Sequence, residues 1–273
     1  MNRKILTICL LGVFTFISSC KGAHKASQES DQNWYKPAPL TSWQWQLSGA
    51  INTRYNVELY DIDLFDSSTA LIHQLQSDNK KIICYFSAGS YENWRSDNNN
   101  FTDSDLGKPL DGWAGERWLD IRNKNVRNIM KARLDLAKQK GCDGVEPDNM
   151  DAYDNDSGFL SKPLTADDQL DYNRFIAREA HNRGLSIGLK NDLAQINELV
   201  DDFDFAVNEQ CFEFNECDAL TPFIKQGKAV LNAEYKQSYI NNSAPICNQS
   251  VNLQISTLLL PLKLDDSFRH SCL

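Results

Sequence analysis

Two carboxylates, Glu146 and Asp148, stand two residues apart in the stretch GCDGVEPDNMD, residues 141–151. Residues two apart on a strand point to the same side, so both side chains would enter one space. Such a pair repels itself unless a cation or a substrate uses it. A further acidic residue, Glu209, lies in the polar turn Asn208-Glu209-Gln210. Two carboxyls facing each other across a cleft are what glycoside hydrolysis requires. One protonates the leaving oxygen, and the other attacks the anomeric carbon or activates water. The residues alone leave Asp148 or Glu146 as the partner of Glu209.

Other chemistries find less support. The four histidines, His24, His73, His181 and His270, are scattered. The acidic run from Asp151 to Asp156 lacks the spacing of a calcium loop, so no metal site is expected. Ser87 and Ser90 lack a paired histidine and a nucleophile elbow. No glycine-rich phosphate fingerprint follows a strand, so no nucleotide cofactor is called for.

The elements that must position these carboxyls alternate in type. Apolar strand patterns are read at Trp43–Leu47, Asn56–Phe65, Lys81–Ser90, Gly144–Val145, Leu185–Asp192, Phe203–Cys211, Lys228–Glu234 and Leu253–Leu264. Helical spacings lie between them: Ala70–Leu75, Val126–Ala137 stopped by Gly141, a segment opened by Thr165 and closed by Gly184, Ala194–Val200 and Leu220–Gln226. Residues 91–120 read as a long polar loop with Trp94, Trp113 and Trp118, suited to stacking sugar rings or to covering the mouth. About eight strands, nearly all ending in polar or acidic residues, predict a single-domain (β/α)8 TIM barrel with its reactive groups at the carboxyl ends.

Ahead of this domain, Arg3 and Lys4 precede an apolar run, Ile5–Ile17, and then Ser18-Ser19-Cys20. This predicts a lipoprotein signal peptide over 1–19 and lipidation of Cys20. Lys21 after the cysteine suggests release to the bacterial outer membrane. The polar residues 20–33 read as a flexible tether, and 34–273 as the barrel. A net charge of −9 over 273 residues argues against a nucleic-acid partner, and a monomer is expected. With Cys9 and Cys20 set aside, an exported chain is free to form disulfides. The expected pairs are Cys211–Cys217 and Cys247–Cys272, with Cys84 and Cys142 as buried small hydrophobes.

The segments CYFSAGSYENW (84–94), WAGERWLDIR (113–122), GCDGVEPDNMDAY (141–153), GLKND (188–192), NEQCFEFNEC (208–217) and KLDDSFRHSC (263–272) resemble glycoside hydrolase family 114, the endo-α-1,4-polygalactosaminidases. The resemblance covers about Trp34 to Cys272. It implies a barrel that cleaves galactosamine-rich exopolysaccharide internally, with Glu209 as acid/base and Asp148 as nucleophile. Family members often carry Asp where Glu146 stands, which makes Glu146 a substrate-binding or tuning neighbour. The same resemblance assigns Asp61, Tyr85, Ser87, Asn149, Lys190, Asn191 and Glu234 to the substrate cleft. A carboxylate-lined cleft suits a cationic amino-sugar polymer. Two rivals follow from other classes. A non-catalytic glycan-binding barrel would keep the cleft without the chemistry, and a deacetylase would want a metal.

Overall fold

The computed structural model describes residues 34–273; the expected signal peptide, tether and lipidated Cys20 lie outside the described residues. Eight parallel strands pair in chain order: β1 (Trp43–Gln46), β2 (Leu59–Asp63), β3 (Lys81–Ser87), β7 (Gly144–Asp148), β8 (Ser186–Lys190), β9 (Phe205–Glu209), β10 (Val230–Glu234) and β11 (Ser256–Leu259). A ninth strand, β12 (His270–Ser271), runs antiparallel to β11. The seam between β1 and β11 is bridged by the C-terminal segment. Leu47 and Ser48 donate to the carbonyl of Leu264 at 3.0 and 3.2 Å, and Arg269 donates to the carbonyl of Trp43 at 2.8 Å. The architecture is that of a (β/α)8 barrel.

Strand parity divides the apolar residues into two layers. Trp43, Trp45, Leu59, Ile83, Phe205, Val207, Leu231 and Ala233 cluster within the barrel. Ile62, Ile82, Val145, Ile187, Leu189 and Val230 point outward, into the cluster shared with the helices. Gly188 belongs to the inner layer because a Cβ there would meet the Phe205 ring at 2.5 Å.

The helical layer is thickest between β2 and β8. It holds α1 (Thr69–Ser77), α2 (Lys124–Lys140) and α3 (Ala166–His181). On α2, Val126, Ile129, Met130, Leu134 and Ala137 fall at helical spacing and are buried; Gly141, at φ 88°, supplies the left-handed stop. On α3, Thr165 and Asp168 form a reciprocal capping box. Helices α4 (Ile196–Leu199) and α5 (Thr221–Lys225) are short. The stretch after β10 forms α6 (Gln237–Asn241) and α7 (Ala244–Asn252), which the apolar spacing did not announce.

Two expectations are corrected. Residues 91–120 are not an unstructured loop: β4 (Ser90–Glu92), β5 (Leu106–Pro109) and β6 (Glu116–Leu119) form an antiparallel sheet in the order β4-β6-β5. Cys84 and Cys142 are not free thiols but a disulfide, with Cα atoms 6.1 Å apart. Cys84 faces outward on β3, opposite Val145, and Cys142 enters the adjacent strand on the same side. The pairs Cys211–Cys217 and Cys247–Cys272 form as expected.

Candidate active site

The carboxyl ends of β7, β8 and β9 carry Asp148, Lys190 and Glu209, and all three border a cavity of about 490 Å³. Each of these strands leaves the barrel through left-handed backbone: Asn149 at φ 60°, Asn191 and Asp192 at 48° and 47°, Gln210 at 66°. Asn and Asp tolerate that region better than other non-glycine residues. Gly89 is the tightest point of the rim. A Cβ there would lie 1.8 Å from the Asn149 carbonyl oxygen.

Lys190 is the centre of the floor. Its Nζ lies 3.1 Å from Glu146 Oε1, 3.1 Å from Asp148 Oδ1 and 3.2 Å from Glu209 Oε2. It also sits over the Trp45 ring, 4.8 Å from the centroid. Asp148 receives the Tyr85 hydroxyl at 2.8 Å and the Asn149 N–H at 2.7 Å. Glu209 receives the Tyr235 hydroxyl, while its own N–H donates to Asn191 Oδ1 at 3.1 Å.

These contacts decide charge. Burial alone would raise the Asp148 carboxyl, but Lys190, Tyr85 and the Asn149 N–H outweigh it and hold it below the usual range. Burial would lower Lys190, yet Asp148, Glu146 and Glu209 together push it well up. Glu146 is pushed up to about 7, by burial first and against the pull of Lys190. The floor therefore holds an ionised aspartate beside a fixed ammonium.

The other wall comes from the sheet inserted after β3. It supplies Leu110, Trp113, Glu116 and Trp118, and the loop after β7 adds Asp151 and Asp156. Glu116 accepts from Ser90 Oγ at 2.7 Å. Ser90 Oγ lies 2.6 Å from Ser87 Oγ, which accepts from Asn149 at 2.9 Å. This chain of polar contacts ties the inserted sheet to the rim. Burial first, then Glu92 and Asp148, push Glu116 up to about 7 against the Ser90 hydrogen bond.

Of the residues read from the sequence, Asp148, Glu209, Tyr85, Asn149, Lys190 and Asn191 border the cavity. Ser87 is buried behind Asn149, and Asp61 and Glu146 lie fully buried beneath the floor. Glu234 is on the opposite side of β10, where its Oε1 accepts the Phe212 N–H at 2.8 Å. Tyr235 is the group that reaches Glu209, and parity with Leu231 and Ala233 could have found it. Glu116 and Asp151 were assigned no role, although they stand in the segments WAGERWLDIR and GCDGVEPDNMDAY that carry the resemblance. Among the described residues, no group of three or more His, Cys, Asp or Glu is placed to hold a metal ion.

A model of the glycoside hydrolase family GH114 matches residues 24–273. No curated protein matches the chain. Among solved structures, Ega3 of Aspergillus fumigatus in complex with galactosamine is 43% identical. That match covers 87% of this chain and 97% of Ega3, with a TM-score of 0.81. The glycoside hydrolase domain of PelA from Pseudomonas aeruginosa is similar in fold, at 11% identity and a TM-score of 0.67, over 83% of this chain and 96% of that domain. A trehalulose synthase, the MutB D415N mutant in complex with Tris, shares the fold more loosely: 10% identity and a TM-score of 0.53, over 73% of this chain and 58% of the synthase.

Proposed function

The chain belongs to glycoside hydrolase family GH114, and from that premise we propose that it cleaves an α-1,4-linked galactosamine-rich polymer internally. The observation that carries this reading is the single ammonium shared by Asp148 and Glu209. Asp148, held ionised by Lys190, Tyr85 and a backbone N–H, attacks the anomeric carbon. Glu209 gives its proton to the leaving glycosidic oxygen, then takes one from the water that releases the glycosyl-enzyme. The two oxygens that share Lys190 lie 3.1 and 3.2 Å from it. The separation of the two carboxyl groups decides the stereochemical outcome, about 5–5.5 Å for retention and roughly 6.5–9.5 Å for inversion.

The substrate class rests on Ega3, whose structure holds galactosamine, and on the charge of the walls. Asp111, Glu116, Asp151 and Asp156 border the cavity, against Lys108 and the buried Lys190. Protonated amino groups on the polymer would be drawn to such walls. Export and lipid anchoring through Cys20, on the outer membrane, complete the proposal and rest on the sequence pattern alone.

The test is release of new reducing ends from partially deacetylated polygalactosamine. The Glu209→Gln variant is expected to lose on the order of 10²–10⁴-fold in kcat with an unchanged melting temperature. Saturable binding of the polymer without any release by the parent would instead make the barrel a receptor.

A further inference from the structure

Beneath the floor the barrel holds two carboxyls that the reaction above leaves unused. Asp61 projects inward from β2 and Glu146 from β7, and neither has any solvent exposure. Their carboxyls are within hydrogen-bonding reach of each other. Glu146 Oε1 faces Lys190. Glu146 Oε2 and both oxygens of Asp61 receive no N–H or O–H from the described residues.

The groups around the pair offer little relief. Lys190 approaches from β8, Asp148 from β7 and Glu209 from β9, while Tyr85 and Tyr235 bring hydroxyls already given to Asp148 and Glu209. Lys190 is the cation of this set, and it serves three carboxyls. Two bare carboxylates in contact, away from water, repel each other strongly. Buried oxygens without donors also call for an explanation. A proton between the two acids answers both, because repulsion becomes a charge-assisted O–H···O⁻ hydrogen bond.

We propose that Asp61 and Glu146 hold one proton between them at neutral pH, so that Lys190 keeps its ammonium on Asp148 and Glu209. Asp61 and Glu146 are thus positioning residues, acting through Lys190. Burial and the neighbouring acid push Asp61 well up, in accord with this geometry. The proton stands independently of the reaction; only its consequence for catalysis rests on Asp148 being the nucleophile.

Infrared difference spectra of the full-length protein at neutral pH read the proton without any substrate. The parent should show a protonated-carboxyl band that Asp61→Asn removes, because the amide copies the neutral acid and leaves Glu146 ionised against Lys190. Unfolding the parent at neutral pH should release one proton more than unfolding the Asn variant, so the fall of stability with rising pH becomes shallower in the variant. In kinetics, Asp61→Asn should keep the acid limb of kcat/KM in place. Asp61→Leu deprives Glu146 of its donor, draws Lys190 away from Asp148 and should move that limb to higher pH. A missing band, or a stability slope that Asp61→Asn leaves untouched, overturns the proposal whatever the activity. An acid limb unmoved by Asp61→Leu overturns the link to Lys190. A band present in a protein inactive on every galactosamine polymer would uphold the proton and defeat the functional reading instead.

Discussion

Charge is buried twice in this molecule, and the two clusters are built differently. Where β3 passes into the inserted sheet, Arg95 and Arg133, 5% and 1% exposed, meet Asp63, Glu92 and Asp97. Arg95 grips Asp63 through two nitrogens at 3.0 and 2.7 Å. Arg133 grips Asp97 at 2.8 and 3.0 Å and donates to the Ser87 carbonyl at 2.6 Å. Fork meets fork there, two cations share the load, and the inserted sheet is fastened to the barrel. At the floor a single ammonium faces Glu146, Asp148 and Glu209, with Asp61 behind. The first cluster sets two guanidiniums against three carboxylates and is closed from the cavity. The second has a surplus of acid and opens to the cavity. Bidentate burial with nearly as many cations as acids serves structure, whereas a cluster of several acids around one cation in a cleft is where proton chemistry is to be sought.

The contrast breaks first if Lys190 proves dispensable. Lys190→Met should lower kcat/KM on the order of 10²–10³-fold, as does loss of other preorganised charges beside a reacting group. Its stability loss should shrink as the pH is lowered and the orphaned carboxyls take up protons, which melting curves at two pH values would reveal. Full turnover by that variant would mean that the acid surplus is not catalytic. Arg133→Met should behave oppositely. Leaving buried carboxylate unpaired costs about 3–5 kcal/mol, measurable by urea unfolding, while the folded fraction keeps its kcat/KM.

The smallest effect concerns pH. Asp151 is pushed up to about 6, Glu146 and Glu116 to about 7 and Asp192 to about 8, burial being the first cause in each. Their unfolded counterparts ionise near 4. Between those values the folded state holds protons that the unfolded state has lost, so stability must fall as pH rises. The melting temperature should therefore decline from about pH 5 to about pH 8. A flat or rising profile across that window would contradict the burial assigned to these acids.

Much of the framework was legible because it obeys local rules. Gly141 ends α2 and Thr165 starts α3 through backbone geometry and capping that neighbouring residues specify. The spacing of Glu146 and Asp148 placed both on one strand face, and they do share it. Tyr235 was open to the same reasoning, since parity separates it from Glu234. The inserted sheet was not legible. Its strands are short, polar residues outnumber apolar ones across 91–120 as a whole, and its stability comes from contacts with the rim that no local pattern encodes.

The sequence by itself determined the order of the eight barrel strands and of helices α1 to α5, the acidic character of the strand ends and the period-two sorting of side chains between barrel interior and helix layer. These follow from dihedral preference and hydrophobic period, which act over a few residues. Tertiary structure alone decided that Lys190 would sit among Glu146, Asp148 and Glu209, that Cys84 would meet Cys142 across 58 positions, and that Asp61 would lie against Glu146. Those meetings depend on how parallel strands register when the sheet curls, a property of the closed barrel rather than of any one stretch.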